Sequence, residues 1–251
     1  QGIALRLART TNWGDSYTSE SIVDGYPTWG DWFPVADFKN DATDSVYIAV
    51  ERRFTSSNSQ LRVIATPWAP STGFNRYALT SGTASEYKKP DITIVQDASS
   101  LPKRVVVASI KDGVGVYSYS LDGGSSWNYD LFLSLASENN IAFVALNSDS
   151  TKDGGEYVIG AYQKLNSDTI VVRRGAPGSG LGTRLNKLNE FTSSPFNAPV
   201  VAIYNPSGTK YSAFLYTGLS AGNYTSNVYF DGEHLVTEIS ELPGIAEQYF
   251  L

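Results

Sequence analysis

One short segment constrains the fold more than any other part of this 251-residue chain. Residues 120–127 read Ser-Leu-Asp-Gly-Gly-Ser-Ser-Trp. Asp122 can accept backbone N–H bonds across a tight turn, and Gly123 and Gly124 supply the positive φ angles that such a turn needs. Trp127 can then fold back as an apolar plug between neighbouring sheets. The segment therefore predicts a hairpin that fastens one β-sheet to another.

A looser copy of this segment lies upstream at residues 10–17, with Asn in place of the Asp and Tyr in place of the Trp. The shared pattern resembles the Asp-box of the sialidase-like β-propellers. The resemblance implies a propeller fold and a structural role for the box, on the face away from the ligand. The box positions that it implies are Ser120, Asp122, Gly124, Trp127, Asn12, Gly14 and Tyr17.

Four segments of the chain share one repeating pattern of short apolar strands separated by polar turns. The predicted first strands are residues 33–38, 91–95, 141–145 and 199–203. The predicted second strands are residues 46–50, 104–108, 157–161 and 211–215, and the third are 61–65, 114–118, 169–173 and 226–230. Weaker outer strands follow, for example at 129–133 and 235–239. Four antiparallel strands about every 50 to 58 residues predict the blades of a β-propeller.

Both ends of the chain resemble parts of a blade. Residues 3–8 with the looser box read as third and fourth strands, and residues 242–251 read as the start of a first strand. We therefore expect an all-β fold in a single domain, residues 1–251, with five blades of four antiparallel strands and one blade completed by both termini. The alternative is a slice of a longer propeller with six or seven blades.

Composition excludes several classes of protein. The chain has no cysteine and one histidine, which disfavours disulfide scaffolds, Cys-ligated zinc and histidine-based triads. A net charge of −6 disfavours a nucleic-acid partner. The sequence has no apolar run of about 18 residues, so we expect no transmembrane segment. Abundant Ser, Thr, Tyr and Asn favour an extracellular or cell-surface location, and Asn223 begins the one N-glycosylation sequon.

Propeller geometry predicts where ligands would bind. Loops that enter first strands and loops that leave second strands meet at one mouth of the axis. The predicted ligand-binding residues are Trp29, Asp31, Trp32, Arg52, Asp91, Lys111, Asn140, Gln163 and Asn197. Further polar residues at the same strand ends are Lys89, Asn139, Glu51, Arg53, Asp112, Lys164 and Tyr216. Aromatic faces stack on sugars while amides and carboxylates bind hydroxyls, so the set predicts a glycan site.

Each of these residues also has a purely structural interpretation. Asp and Asn before a strand often satisfy local backbone groups, and Trp29 and Trp32 equally suit packing between blades. Asp31, Asp91 and Asn140 could instead hold Ca²⁺ at the axis, because hard cations take oxygen ligands. We expect no other cofactor. The convergence of many polar residues is thus better supported than the role of any one.

The resemblance also makes glycoside hydrolysis a candidate activity. Active sialidases carry an Arg-Ile-Pro motif at the first inner strand, whereas residues 32–34 read Trp-Phe-Pro here, which disfavours sialidase activity. Five-bladed glycosidases place acidic residues around the axis, and Asp31 and Asp91 are the candidate catalytic carboxylates. No Glu on a first strand stands out as a proton donor.

We therefore expect a secreted or cell-surface recognition or adhesion module that binds a glycan or a protein partner at the axial mouth. One alternative is an extracellular glycoside hydrolase, sialidase-like or similar to the five-bladed glycosidases. Another is a self-assembling subunit of a surface layer or filament. Ligand binding, glycoside turnover and polymerisation distinguish the three.

Overall fold

The computed structural model describes residues 4–7, 21–25, 30–39, 45–67, 74–79, 85–95, 104–149, 157–164, 169–175, 183–188, 200–204, 211–220 and 223–232. These residues contain seventeen β-strands and no helix. The strands are β1 (Ala4–Leu7), β2 (Ser21–Gly25), β3 (Asp31–Lys39), β4 (Ser45–Arg53), β5 (Ser59–Pro67), β6 (Asn75–Ala78), β7 (Tyr87–Val95), β8 (Arg104–Lys111), β9 (Val114–Ser120), β10 (Asn128–Phe132), β11 (Ile141–Asp149), β12 (Tyr157–Lys164), β13 (Thr169–Gly175), β14 (Thr183–Leu188), β15 (Val200–Tyr204), β16 (Tyr211–Ser220) and β17 (Asn223–Gly232).

The strands pair with antiparallel neighbours in sheets that follow chain order. Strands β3 to β6 form the first sheet, β7 to β10 the second and β11 to β14 the third, each with four strands. Strands β15 to β17 form a three-stranded sheet, and β1 pairs with β2. The prediction of an all-β fold with four-stranded antiparallel sheets is confirmed for these parts of the chain.

Each predicted first, second and third strand overlaps an observed strand. Strand β7 begins at Tyr87, four residues earlier than predicted. A bulge that contains Pro90 interrupts the pairing there, so the sequence pattern did not reveal the first residues of the strand. The predicted outer strand at 235–239 and the terminal residues 242–251 lie outside the described residues. The expected fifth blade and the looser box at 10–17 therefore stay predictions.

Burial differs between the second strands and the outer strands for a simple reason. Seven consecutive residues of β4 are buried, whereas β10 is mostly exposed. A strand in the middle of a sheet that is covered on both faces needs continuous apolar, β-branched residues, while an outer strand meets water. The apolar runs at 46–50 and 104–108 predicted this directly.

Strand β8 shows how the sheets stack. Val105 and Val107 belong to an apolar cluster shared with the first sheet, which includes Leu61 and Val63. The residues in between, such as Val106, belong to a second cluster that includes Val158 and Tyr162 of the third sheet. Side chains alternate between the two faces of a strand. The second sheet is therefore packed between the first and the third.

The first strands of successive sheets lie side by side, and β3, β7 and β11 run in the same direction. Strand β3 contacts β7, β7 contacts β11 and β11 contacts β15. Near the ends of the strands, Asp37 Oδ2 of β3 accepts the N–H of Ile94 in β7 at 2.8 Å. Near their starts, Lys89 of β7 donates to the carbonyl of Ala142 in β11 at 3.2 Å. We call the end at which first strands begin and second strands finish the entry end.

Candidate functional site

At the entry end, the strand pairing is irregular near the starts of β3, β7 and β11. Register shifts occur beside Phe33 in β3, Lys89 in β7 and Ala142 in β11. Phe33 and Lys89 have φ angles of 49° and 47°, in the left-handed region that residues other than glycine seldom adopt. Bulges re-aim side chains, and such strained residues persist only where their surroundings hold them.

Lys89 joins three sheets at this end. Its backbone N–H points at Glu51 Oε2 of the first sheet, at 3.4 Å. Its Nζ donates to the Ala142 carbonyl at 3.2 Å and lies 4.1 Å from the centroid of the Phe143 ring in the third sheet. Burial and the neighbouring Lys88 lower the pKa of Lys89, and Glu51 acts in the opposite direction. The three sheets therefore meet at one side chain.

Glu51 lies beneath this junction. It is 1% exposed and forms an ion pair through Oε1 with Nε of Arg53, whose side chain is 25% exposed. The two residues are two positions apart on β4 and so share one face of the strand. Both contacts of Glu51 come from hydrogen-bond donors, which suits a carboxylate that accepts. We call Glu51, Arg53, Lys89 and Phe143 the entry cluster.

An exposed aromatic residue stands next to the entry cluster. Phe33 is 48% exposed. It follows Trp32, whose backbone lies opposite Glu51 in the pairing of β3 with β4. Exposed aromatic rings and charged groups at one end of a sheet suit sugars, because sugars have both apolar faces and hydroxyl groups.

Asp91, a predicted ligand-binding and catalytic residue, fastens two sheets together. Its Oδ1 accepts the N–H of Ile92 at 2.9 Å, and its Oδ2 accepts the N–H of Leu146 in β11 at 2.6 Å. Burial raises the pKa of Asp91, the two amides partly offset this, and nearby Asp37 raises it further. Because β7 and β11 are edge strands of their sheets, carboxylates at these positions satisfy edge N–H groups that would otherwise lack partners.

Lys111, another predicted ligand-binding residue, faces the outer part of its own sheet. Its Nζ lies 2.6 Å from Asp130 Oδ2, and the Tyr87 hydroxyl lies 3.1 Å from both oxygens of the same carboxylate. Burial is the main influence that raises the pKa of Tyr87, to about 12. For Lys111, burial lowers the pKa, but hydrogen bonds to Asp130 and Tyr87 outweigh it and the pKa is raised.

The remaining predicted site residues are distributed as follows. Arg52 and Gln163 are 4% and 1% exposed, at the ends of the second strands β4 and β12. Asn140 is exposed with a φ of 66°, a conformation that Asn tolerates better than most residues. Asp31 pairs in register with Arg52 at the start of β3. The side chains of Asp31 and Trp32, and the whole of Trp29 and Asn197, lie outside what the structure describes.

The contacts at the entry end thus draw together a set that differs from the predicted ligand-binding residues. Glu51, Arg53 and Lys89 belonged to the wider set of strand-end residues in the sequence, but Phe143 did not. An aromatic residue inside a predicted first strand reads as part of the core, so its position under a lysine gave no signal. The position of Phe143 under Lys89 becomes visible only when strands that are distant in the sequence are packed together.

The hairpin at residues 120–127 has the local bonding that its sequence suggests. Ser120 Oγ accepts the N–H of Gly124 at 2.7 Å, and Asp122 Oδ1 accepts the N–H of Ser126 at 2.8 Å. The hydroxyl of Ser126 donates to Asp122 Oδ2 at 2.6 Å, and hydrogen bonds from Ser126 are the main reason that the pKa of Asp122 is lowered to about 2. The turn therefore satisfies its own polar groups.

The same hairpin contacts the neighbouring sheet. The indole of Trp127 donates to the Gly124 carbonyl at 2.9 Å, and its ring lies 6.2 Å from the Tyr77 ring of the first sheet. The Tyr47 hydroxyl, also of the first sheet, donates to the Gly123 carbonyl at 3.1 Å. Because β9 runs from the entry end and finishes at Ser120, this hairpin lies at the opposite end of the second sheet.

Two further observations bear on other predictions. Across the described residues, no group of three or more His, Asp or Glu side chains could hold a metal ion. Both oxygens of Asp91 already accept hydrogen bonds from amides. The side chain of Asp31 is not described, so the calcium site at the axis stays a prediction. In the same part of the chain, no helix has the length and apolar character to cross a membrane. Asn223 is the first residue of β17 and pairs with Ser220 of β16.

Comparisons with known proteins add little. No family model matches the sequence, and no curated protein matches it. One similar solved structure is a mutant of the NanB sialidase from Streptococcus pneumoniae, with 13% identity and a TM-score of 0.47 over 87% of this chain. This chain covers 33% of that protein. With a TM-score below 0.5, the likeness carries no argument about activity.

Proposed function

We propose that this chain is a sialidase-like β-propeller that acts as a secreted or cell-surface recognition module and binds a glycan at its entry end. Side-by-side first strands that run in one direction support the propeller, because inner strands of neighbouring blades are arranged in this way around an axis. The position of the second sheet between two others supports it too. Five blades, as expected from the sequence, are part of the proposal.

The observation that carries the proposal is the junction at Lys89. It contacts Glu51 of the first sheet and Ala142 and Phe143 of the third. Residues from three sheets meet at one end, as a binding site at the mouth of a propeller requires. Glycan binding also needs rigid neighbours, and the strained, bulged strand starts are held by these contacts.

The chemistry of the entry end supports a glycan over a purely apolar ligand. The entry cluster supplies two cations above a buried carboxylate, and Phe33 supplies an exposed ring. Sugar hydroxyls both donate and accept hydrogen bonds, while the C–H face of a sugar packs on an aromatic ring. The Ser-, Thr-, Tyr- and Asn-rich composition supports an extracellular or surface location.

A glycan panel with two matched aromatic variants tests the proposal. Phe33 at the entry end is 48% exposed, and Tyr129 is 49% exposed near the start of β10, at the opposite end of the second sheet. We expect Phe33→Ala to weaken binding of the best glycan about tenfold, about 1.4 kcal/mol, and Tyr129→Ala to leave the affinity unchanged. Equal effects of the two variants, or no glycan bound at all, would contradict the proposal.

The same samples separate the alternatives. Turnover of a chromogenic glycoside, abolished by loss of an entry-end carboxylate, would replace the recognition module by a glycoside hydrolase. Concentration-dependent polymers in light scattering, without glycan binding, would replace it by a surface-layer or filament subunit.

A further inference from the structure

In each of the three four-stranded sheets described, the second strand ends with a cation that is paired within the protein. Arg53 at the end of β4 pairs with Glu51. Lys111 at the end of β8 lies 2.6 Å from Asp130, and Lys164 at the end of β12 lies 3.2 Å from Glu138. The pairs recur at equivalent strand ends, so each of these three cations reaches the entry end together with a carboxylate.

In two of these pairs the carboxylate is the deeper partner. Glu51 is 1% exposed beneath Arg53 at 25%, and Glu138 is 8% exposed beneath Lys164 at 40%. Glu138 also accepts bonds from the Tyr162 hydroxyl and from the N–H of Leu135. A ligand that drew the cation away would take an ion-pair partner from a buried carboxylate, which is costly in a region shielded from water.

Another cation of the entry end, Lys89, is engaged as well. Lys89 Nζ donates to the Ala142 carbonyl and lies over the Phe143 ring. A cation over an aromatic face is already favourably solvated by the protein. The net charge of the whole chain is −6, which also opposes the approach of a polyanion.

We infer that the ligand of the entry end is an uncharged, hydroxyl-rich glycan and that sulfated or carboxylated glycans are discriminated against. This inference rests on the proposed function and specifies the class of its ligand. A hydroxyl group can accept from the cation of an ion pair, or donate to the partly exposed Asp130, without separating the two partners. A sulfate or carboxylate group can only accept, and it competes with the buried glutamates for the same cations.

Matched pairs of glycans test this inference on the intact wild-type protein. The pairs are dextran with dextran sulfate, methyl-esterified with free polygalacturonate, and lactose with sialyllactose, each measured by calorimetry or affinity electrophoresis in the same buffer. We expect at least one pair in which the uncharged member binds and the charged member binds at least about tenfold more weakly, which is about 1.4 kcal/mol.

A variant pair shows whether the ion pairs cause the discrimination. Glu138→Gln keeps an acceptor for Leu135 and Tyr162 but releases the charge of Lys164. We expect it to raise affinity for the charged member at least about threefold. Asp231→Asn makes the same change in net charge in β17, opposite Ser212 and so away from the entry end, and should leave that affinity unchanged.

The outcomes distinguish the two levels of the argument. Tighter binding of the charged member by the wild-type protein would overturn the inference about ligand class and leave the glycan-binding module intact. Binding of no member of any pair would overturn the module, and the inference with it. Because the wild-type measurement needs no variant, a folding defect in Glu138→Gln does not blunt the test.

Discussion

The two ends of the second sheet are built in opposite ways. At one end, the 120–127 hairpin is held mainly by bonds between residues no more than four positions apart, such as Gly124 to Ser120, and Tyr47 of the first sheet adds one bond from 76 positions away. At the entry end, Lys89 meets residues 38 and 53 positions away. A local turn satisfies its own polar groups, whereas the entry cluster exists only after three sheets have packed. The hairpin can therefore be predicted from a short stretch of sequence, whereas the entry cluster forms only when the three sheets have folded together.

The largest expected effect lies at the entry end. Glu51→Gln should destabilise the protein by about 2 kcal/mol, because the buried ion pair with Arg53 is lost and the amide of Lys89 faces a weaker acceptor. Urea unfolding measures the change. Its control is Glu86→Gln, in an ion pair with Lys88 whose side chains are 29% and 42% exposed, which should cost at most about 0.5 kcal/mol. Similar costs for the two variants would mean that the entry cluster is no more coupled than a surface ion pair.

Two glycines test the other end. Gly124 has a φ of 99°, and a Cβ there would meet Tyr77 at 3.0 Å, whereas Gly123 has a φ of 69° and a Cβ would be 3.5 Å from the Tyr47 hydroxyl. Gly124→Ala should therefore cost about 2 kcal/mol and Gly123→Ala about 1 kcal/mol, both from backbone strain and the former also from crowding. Urea midpoints compare them. A larger loss at Gly123 would show that contact with the first sheet matters less than the turn itself.

Adjacent lysines separate a bridging residue from a surface one. Lys89→Met should cost about 1 kcal/mol, because it removes the bond to the Ala142 carbonyl and the charge over Phe143. Lys88→Met loses only its exposed ion pair with Glu86 and should change stability by less than about 0.5 kcal/mol. Thermal unfolding of both gives the difference. If Lys88→Met proves the more damaging, the junction between the sheets does not depend on Lys89.

Two aspartates should give opposite pH dependences, with the smallest effects. The pKa of Asp122 is lowered from 3.8 to about 2, so its stabilising contribution is present above 3.8 and is lost as pH falls through about 2. The pKa of Asp91 is raised above 3.8 by burial, so its contribution is largest in acid and is lost as pH rises above 3.8 through the raised pKa.

Unfolding in urea at a series of pH values, with Asp122→Asn and Asp91→Asn beside the wild type, measures these dependences. The stability difference between wild type and Asp122→Asn should shrink as the pH falls toward about 2. The difference between wild type and Asp91→Asn should shrink as the pH rises above the raised pKa of Asp91. Slopes of the same sign would show that the two carboxylates do not experience the different surroundings described above.

The fold was more predictable than the site, for reasons visible in particular residues. The apolar run at 104–108 identified β8 because a strand covered on both faces has continuous apolar residues. Asp91 was recognisable as a polar residue on a first strand, but its interpretation as ligand-binding or structural depended on where Leu146 lies. Phe143 gave no sign of its role because sequence patterns do not reveal which ring a lysine from another sheet will cover.

The sequence by itself determined the strand order, the antiparallel pairing of neighbouring strands and the conformation of the 120–127 hairpin. These depend on residues close together in the chain, whose alternation, turn glycines and short hydrogen bonds act before distant parts meet. Tertiary packing alone decided that Glu51, Lys89 and Phe143 would meet and that Glu138 would be buried beneath Lys164. Such contacts depend on the relative placement of whole sheets, which many side chains set together.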